Sequence, residues 1–276
     1  MSVHDLHCHS RASDGALTPE ALVARAAHQG VTTLALTDHD SVAGLERAAA
    51  AARAAEVCLI PGIELSVSWG GQCIHIVGLG IDPGSAPLQA GIAALADVRY
   101  GRAAGIGRKL AKLGFPGVHA AALELAGEGM ITRTHFARAL VLSGAVHDDR
   151  AAFERYLARG KPAFVRTDWA GLEDALAWIG GSGGVAVVAH PRRYGLTASR
   201  LRAFLEEFRA AGGRGIEVVC GNSTPEDVRD TAQLARRFDL LASRGSDFHT
   251  PEHVWLELGR LAPLPEDLRP VWSFWE

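Results

Sequence analysis

Val31-Thr32-Thr33-Leu34-Ala35-Leu36-Thr37-Asp38-His39-Asp40 is the stretch that decides the fold. Val31–Thr37 is a run of aliphatic and β-branched residues, the composition of a buried strand. Asp38, His39 and Asp40 follow at its C-terminal end, where parallel α/β folds collect their active sites. Upstream, Thr18-Pro19-Glu20 opens a helix, with Thr18 as N-cap and Pro19 at the first helical position. That helix runs to Gln29 and stops at Gly30. Val3–His9 before it reads as a short strand. Downstream, Ser41 caps an alanine-rich helix to about Glu56, and Val57–Ile63 is the next strand. This βαβα rhythm predicts an α/β fold with parallel strands and helices outside.

Residues 64–80 break the rhythm. Glu64–Trp69 and Gln72–Leu79 flank Gly70-Gly71, a two-residue hairpin signal. That turn pairs Trp69 with Gln72 and Ser66 with His75, which makes Glu64 and His75 diagonal neighbours on one face. Asp82-Pro83-Gly84-Ser85 is a loop, and a helix starts near Pro87. From there to Tyr156 the strand signal vanishes in a segment rich in Ala, Leu, Arg and Gly. Residues 100–165 therefore read as a helical insertion between 1–99 and 166–276. The βα pattern resumes with Val185–Ala189, a helix from Ser199 to Ala211, and Gly215–Cys220. A helix from Pro225 to Phe238 and a strand at Leu240–Ser243 complete it.

Composition sets outer bounds. The 276 residues suffice for one large α/β domain or two modest ones. Hydrophobic content of 48% and charged content of 21% suit a globular enzyme. A net charge of -3 argues against coating nucleic acid by bulk charge, and against processive action on long DNA. It leaves room for a small anion held by a few local cations. The four cysteines contain no C-x-x-C pair and read as buried free thiols in a reducing cytosol. No signal peptide is visible, and no stretch reaches ~18 apolar residues. The expectation is a cytoplasmic protein with no membrane association and no obligate protein partner.

The candidate chemistry lies at strand ends. His7 and His9 flank Cys8, and positions i and i+2 of a strand share a face, so both imidazoles can reach one ion. Asp14 follows in the loop before the first helix. His39 sits in the Asp38-His39-Asp40 turn, Glu64 just past a buried strand, and His75 beside it on the hairpin. His190 ends the strand Val185–Ala189. Asp247 and His249 repeat the i, i+2 spacing after the last strand. Each element alone is ambiguous; five strand ends each delivering a histidine or a carboxylate are not.

In combination these blocks resemble the PHP (polymerase and histidinol phosphatase) superfamily. The matching stretches are His4-Asp5-Leu6-His7-Cys8-His9-Ser10, Thr37-Asp38-His39-Asp40, Pro61-Gly62-Ile63-Glu64, Ala189-His190-Pro191 and Ser246-Asp247-Phe248-His249. The resemblance implies a distorted (βα)7 TIM-like barrel holding two or three divalent ions. It implies as ligands His7, His9, Asp14, His39, Glu64, His75, His190, Asp247 and His249. Six neutral imidazoles and three carboxylates around three such ions leave a site of about +3, suited to a phosphate dianion. Ligation by nitrogen and oxygen without thiolate suits Mn²⁺, Fe²⁺ or Zn²⁺; relatives often use manganese, which makes Mn²⁺ the expected ion. Glu64 stands where a bridging ligand is expected, and Asp247 or His249 is a candidate for protonating the leaving oxygen.

The insertion is expected to cover the metal mouth. Arg99 and Arg102 are spaced i, i+3 on one helix face. Thr132-Arg133-Thr134-His135 reads as a helix start, and helix N-termini bind anions. Arg133 adds a guanidinium fork suited to phosphate. Arg192 and Arg193 beside His190, and Asn222 beyond the strand Gly215–Cys220, are further candidate substrate contacts. Within the superfamily the chain is similar to bacterial 3',5'-nucleoside bisphosphate phosphatases, whose relatives also trim short RNA from the 5' end. That similarity implies removal of the 3'-phosphate from adenosine 3',5'-bisphosphate. The rival readings are a histidinol phosphatase, which needs no grip on a second phosphate, and a non-catalytic metal-binding module.

Overall fold

The computed structural model describes residues 2–275. Its strands are β1 (His4–Asp5), β2 (Thr33–Leu36), β3 (Cys58–Trp69), β4 (Gln72–Leu79), β5 (Val185–Val188), β6 (Gly215–Cys220) and β7 (Leu241–Gly245). They hydrogen-bond in chain order in one seven-stranded sheet. β1, β2 and β3 are parallel, β4 runs antiparallel to both β3 and β5, and β5, β6 and β7 are parallel again. The first strand is shorter than the expected Val3–His9, because its continuation pairs on the other side. Leu6 N donates to Arg244 O at 3.0 Å, and His9 N donates to Phe248 O at 2.9 Å. These bonds and the Cys8–Phe248 bridge draw the sheet into a barrel.

β3 and β4 form the hairpin that Gly70-Gly71 predicts, in the predicted register of Trp69 with Gln72 and Ser66 with His75. The expected break between Val57–Ile63 and Glu64–Trp69 does not exist. β3 is one strand of 12 residues, kept continuous by two partners that succeed each other along it. Period-two alternation then sorts its side chains. Ile63, Leu65 and Val67 join the apolar layer under the helices. Ile60 joins a second cluster with Ala35, Val77, Leu79, Val187 and Leu241, the barrel interior, against which Trp272 and Trp275 pack. Glu64 lies on the side of Ile60.

Helices α1 (Pro19–His28) and α2 (Leu45–Ala54) follow β1 and β2. Thr18 caps α1 through a 3.3 Å bond from Ala21 N. Ser41 does not cap α2: its hydroxyl accepts Ala43 N in a local turn, and the helix starts after Gly44. The long helix α3 (Ala86–Lys112) runs through the expected junction at residues 99 and 100 without a break. It is followed by α4 (Val118–Ala126), α5 (Arg133–Leu142), α6 (Asp149–Ala152) and a π turn at Phe153–Leu157. These pack around an apolar cluster of their own that includes Ile106, Leu110, Phe136, Leu140 and Leu157. Helices α7 (Leu172–Gly181), α8 (Ala198–Ala210) and α9 (Pro225–Arg237) return to the barrel. Among the described residues, no helix is long and apolar enough to cross a membrane. All four cysteines are unpaired; Cys8 and Cys220 are buried as expected, whereas Cys58 is exposed and Cys73 only half-buried.

Candidate metal centre

The strand ends converge on one point. Four overlapping groups of potential ligand atoms, each within 4.8 Å of one another, are His9-Asp14-His39-His249, His7-Glu64-His190, His7-His9-Asp247 and His39-Glu64-His75. Their union is the nine residues read from the sequence. Close approach at the barrel seam needs Gly245, where any Cβ would collide with His7. Glu64 is the hub: its oxygens lie 3.4 Å from His7 Nε2, 3.4 Å from His9 Nε2, 2.8 Å from His39 Nδ1, 3.1 Å from His75 Nδ1 and 3.0 Å from His190 Nε2.

The donor set fits divalent cations on a structural test. Asp14 Oδ1, His39 Nδ1, Glu64 Oε2 and His190 Nδ1 are buried with no hydrogen-bond partner among the described residues. His39 Nδ1 and Glu64 Oε2 lie 2.8 Å apart without hydrogen-bond geometry, as two donors aimed at a shared third atom would. His7 Nε2 and His9 Nε2 similarly face each other at 3.1 Å. Leaving such groups unsatisfied costs about 1–3 kcal/mol each; a cation satisfies several at once. The electrostatics agree. Burial, with His249 and His39 nearby, pushes His9 down to about 3. Burial also opposes charge on His249, but Asp14 and Asp247 outweigh it and lift that imidazole to about 9. Despite burial, the surrounding histidines hold Glu64, Asp14 and Asp247 well below the usual carboxylate range.

Supports outside the cage point each carboxylate inward. Asp14 Oδ2 accepts Thr132 Oγ1 and Thr134 Oγ1, both at 2.9 Å, from the first turn of α5. Asp247 Oδ2 pairs with Arg193 Nη1. Glu217 on β6 accepts His7 Nδ1 at 2.7 Å and the backbone N–H of His190 at 2.6 Å. Asp38, which burial raises to about 6, accepts Ser10 N, Ser10 Oγ and Ser13 Oγ and holds the loop between His9 and Asp14. None of these supports was read as such in the sequence. Glu217 carried a signal, as the one charged residue of an otherwise apolar buried strand.

A cavity of about 640 Å³ opens from the donors. Asp14, His39 and His75 lie at its floor, and Arg99, Arg102, Arg133, Phe153, Phe164 and Trp169 are among its walls. Arg99 is buried and committed, bonding Asp40 Oδ2 at 2.6 Å and Ser66 Oγ at 3.0 Å. Arg102 stands over the Trp169 ring at 5.1 Å, and its buried Nε has no partner among the described residues. Burial, then the charges of Arg133 and Arg99, push Arg102 down to about 9. Three expected contacts lie elsewhere. His135 is 2% exposed and does not line the cavity; its Nδ1 accepts Thr132 N at 3.0 Å and closes a capping box on α5. Arg192 pairs with Asp227 and Asp230. Arg192 and Asn222 line a separate cavity of about 280 Å³. The 3₁₀ turn at Pro191–Tyr194 points Arg193 at the donors and Arg192 away from them.

The chain is similar to several known proteins. The PHP domain family model matches residues 5–126. A 3',5'-nucleoside bisphosphate phosphatase of Chromobacterium violaceum is 47% identical over 99% of this chain and 96% of its own length. A 5'-3' exoribonuclease of Haemophilus influenzae is 45% identical over 98% of each chain. A solved structure described as an amidohydrolase from Chromobacterium violaceum, with bound sulfate and no metal, superposes with a TM-score of 0.95 at 46% identity. It covers 99% of this chain and 95% of its own. The chain therefore belongs to the PHP domain family.

Proposed function

We propose that the chain is a metal-dependent phosphomonoesterase that removes the 3'-phosphate of nucleoside 3',5'-bisphosphates, giving AMP from adenosine 3',5'-bisphosphate. The observation that carries this reading is one cavity lined both by Asp14, His39 and His75 of the nine-donor cage and by Arg102 and Arg133, which pair with no carboxylate among the described residues. The residues from α3 to the π turn act as a cap over the cage. Bound divalent ions, with Mn²⁺ favoured by the nitrogen and oxygen donor set, would neutralise phosphoryl charge and activate water. Arg102 and Arg133 hold the 5'-phosphate, and Arg99 braces the wall behind them. Of the two cage members Asp247 and His249, His249 is the candidate for protonating the leaving 3'-oxygen, being 22% exposed and lifted to about 9, whereas Asp247 is held ionised, well below the usual carboxylate range.

The same geometry serves the 5' end of short RNA. In both substrates the bond broken joins phosphorus to a 3'-oxygen, and both carry a 5'-phosphate for the arginines. The two relatives' names thus describe one arrangement acting on two lengths of substrate. The unpaired thiols are consistent with a cytoplasmic setting. The test is turnover by Mn²⁺-loaded protein of adenosine 3',5'-bisphosphate, AMP, histidinol phosphate and short 5'-phosphorylated RNA. The expected result is phosphate release from the bisphosphate with AMP left intact. Equal or faster turnover of histidinol phosphate overturns the assignment.

A further inference from the structure

We propose that Arg193 is a positioning residue that fixes which oxygen of Asp247 faces the metal cage, and that it ties together the two turns delivering His190 and Asp247. The inference rests on the cage being a metal site, as proposed above. Asp247 Oδ1 lies 3.1 Å from His9 Nε2, 3.4 Å from His7 Nε2 and 3.5 Å from His249 Nδ1. Its Oδ2 is taken by Arg193 Nη1. The other end of the fork, Nη2, donates to Gly221 O at 2.8 Å, on the loop after β6. One guanidinium therefore clamps a carboxylate and a backbone carbonyl from two elements, a geometry a lysine ammonium does not reproduce.

The need for a clamp is visible in the backbone. His190 and Asp247 both have positive φ, 29° and 56°, in the left-handed region that disfavours residues other than glycine. Arg193 lies three residues after His190 in the same 3₁₀ turn, and its N–H donates to His190 O at 3.0 Å. Its side chain thus links the two strained turns. Asp14 shows the same division of labour, with Oδ2 held by Thr132 and Thr134 and Oδ1 left for the cage. Arg193 also lines both the large and the small cavity, so it forms the wall between them.

The experiment compares Mn²⁺ binding to wild type, Arg193→Ala, Arg193→Lys and Arg192→Ala. The readouts are metal-to-protein ratio after desalting and Kd by calorimetric titration. Arg193→Ala should weaken the ion held by His7, His9 and Asp247 by about ten- to a hundredfold and lose it on desalting. Added guanidinium should restore binding to Arg193→Ala, Arg193→Lys should recover only part, and Arg192→Ala should match wild type. In steady state, kcat for the bisphosphate should fall with KM little changed. Unchanged Mn²⁺ affinity in Arg193→Ala overturns the proposal, as does a raised KM with normal metal content, which would make Arg193 a substrate contact. If Arg193→Ala does not fold, Arg193→Lys decides, since wild-type affinity there is equally fatal. Absence of Mn²⁺ binding in wild type would instead overturn the metal reading itself, and this inference with it.

Discussion

Replacing Arg102 by methionine separates a binding arginine from a structural one, because the two roles predict opposite signs. In the free protein burial, then the charges of Arg133 and Arg99, push Arg102 well below the ordinary arginine range, to about 9. At ~1.4 kcal/mol per tenfold, its charged form is disfavoured by a few kcal/mol. Solvent in the cavity screens part of this, so relief of about 1–2 kcal/mol on removing the charge is a reasonable expectation. Methionine keeps an unbranched stem to cover Trp169. The variant should therefore unfold a few degrees higher than wild type, since 1 kcal/mol is worth about 2–4 °C at this size. Binding should move the other way. Loss of a charge-assisted hydrogen bond to the 5'-phosphate costs about 1.5–3 kcal/mol. That is about ten- to a hundredfold in kcat/KM for adenosine 3',5'-bisphosphate. Adenosine 3'-monophosphate, which lacks the second phosphate, should lose much less. The assays are phosphate release on the two substrates and thermal unfolding of the metal-loaded protein. A lower melting temperature with an unchanged ratio of the two kcat/KM values would refute the reasoning.

Glu64→Gln removes the carboxylate that five histidines share, and the loss of a buried charge partner is worth about 3–5 kcal/mol. Bound metal should fall and turnover should drop by at least two orders of magnitude; full metal content with full activity would contradict the hub role. Chelation should abolish phosphate release and lower the melting temperature, with Mn²⁺ restoring both, because ions bound only by the folded state stabilise it. A melting temperature indifferent to chelator and Mn²⁺ would count against the cage. His135 is predicted to set part of the acid sensitivity. Burial lowers it to about 4, below the ordinary 6.5, so between those values the unfolded chain binds a proton that the folded protein does not. Its stability contribution is thus intact above pH 6.5 and lost as pH falls toward 4, by up to about 3 kcal/mol. His135→Gln, which can still close the capping box, should flatten denaturant-unfolding stability over that range; an unaltered slope would show that other groups carry it.

The donor set was legible because strands advertise their geometry. His39, Glu64 and Asp247 follow apolar runs at the ends where parallel strands deliver side chains, and Gly70-Gly71 fixes the register that places His75 near Glu64. His190 was legible only as a strand end, not as an inward-facing group. Alternation would send it to the side of Ala186 and Val188, which belong to the helix-facing cluster. Its positive φ turns it back, and nothing in Ala189-His190-Pro191 states that angle. Neither could spacing decide between Arg192 and Arg193, since one residue in a 3₁₀ turn changes direction by about a third of a circle. His135 misled for a related reason: a histidine at a helix start serves equally as anion contact or as capping partner, and only the tertiary position of Thr132 distinguishes them.

The i, i+3 arginines Arg99 and Arg102 share a face, yet the fold divides them by charge balance. Asp40, the last residue of the Asp38-His39-Asp40 turn, accepts Ser66 N through Oδ1 and Arg99 through Oδ2. It thereby fastens β3 beside Glu64 and the base of the cap in one contact. With its charge balanced, Arg99 is a post; Arg102, one turn further along α3, pairs with no carboxylate among the described residues and faces the cavity. From the opposite wall the first turn of α5 holds Asp14, a member of the cage, through Thr132 and Thr134. The cap is thus bonded to Asp14 of the cage from α5 and to Asp40 and Ser66, next to His39 and near Glu64 in sequence, from α3. Its position sets the direction of Asp14 Oδ1 as well as the placement of the arginines. On the roles proposed above, substrate recognition and metal retention are coupled through α3 and α5, and a cap displaced from the barrel would loosen both together.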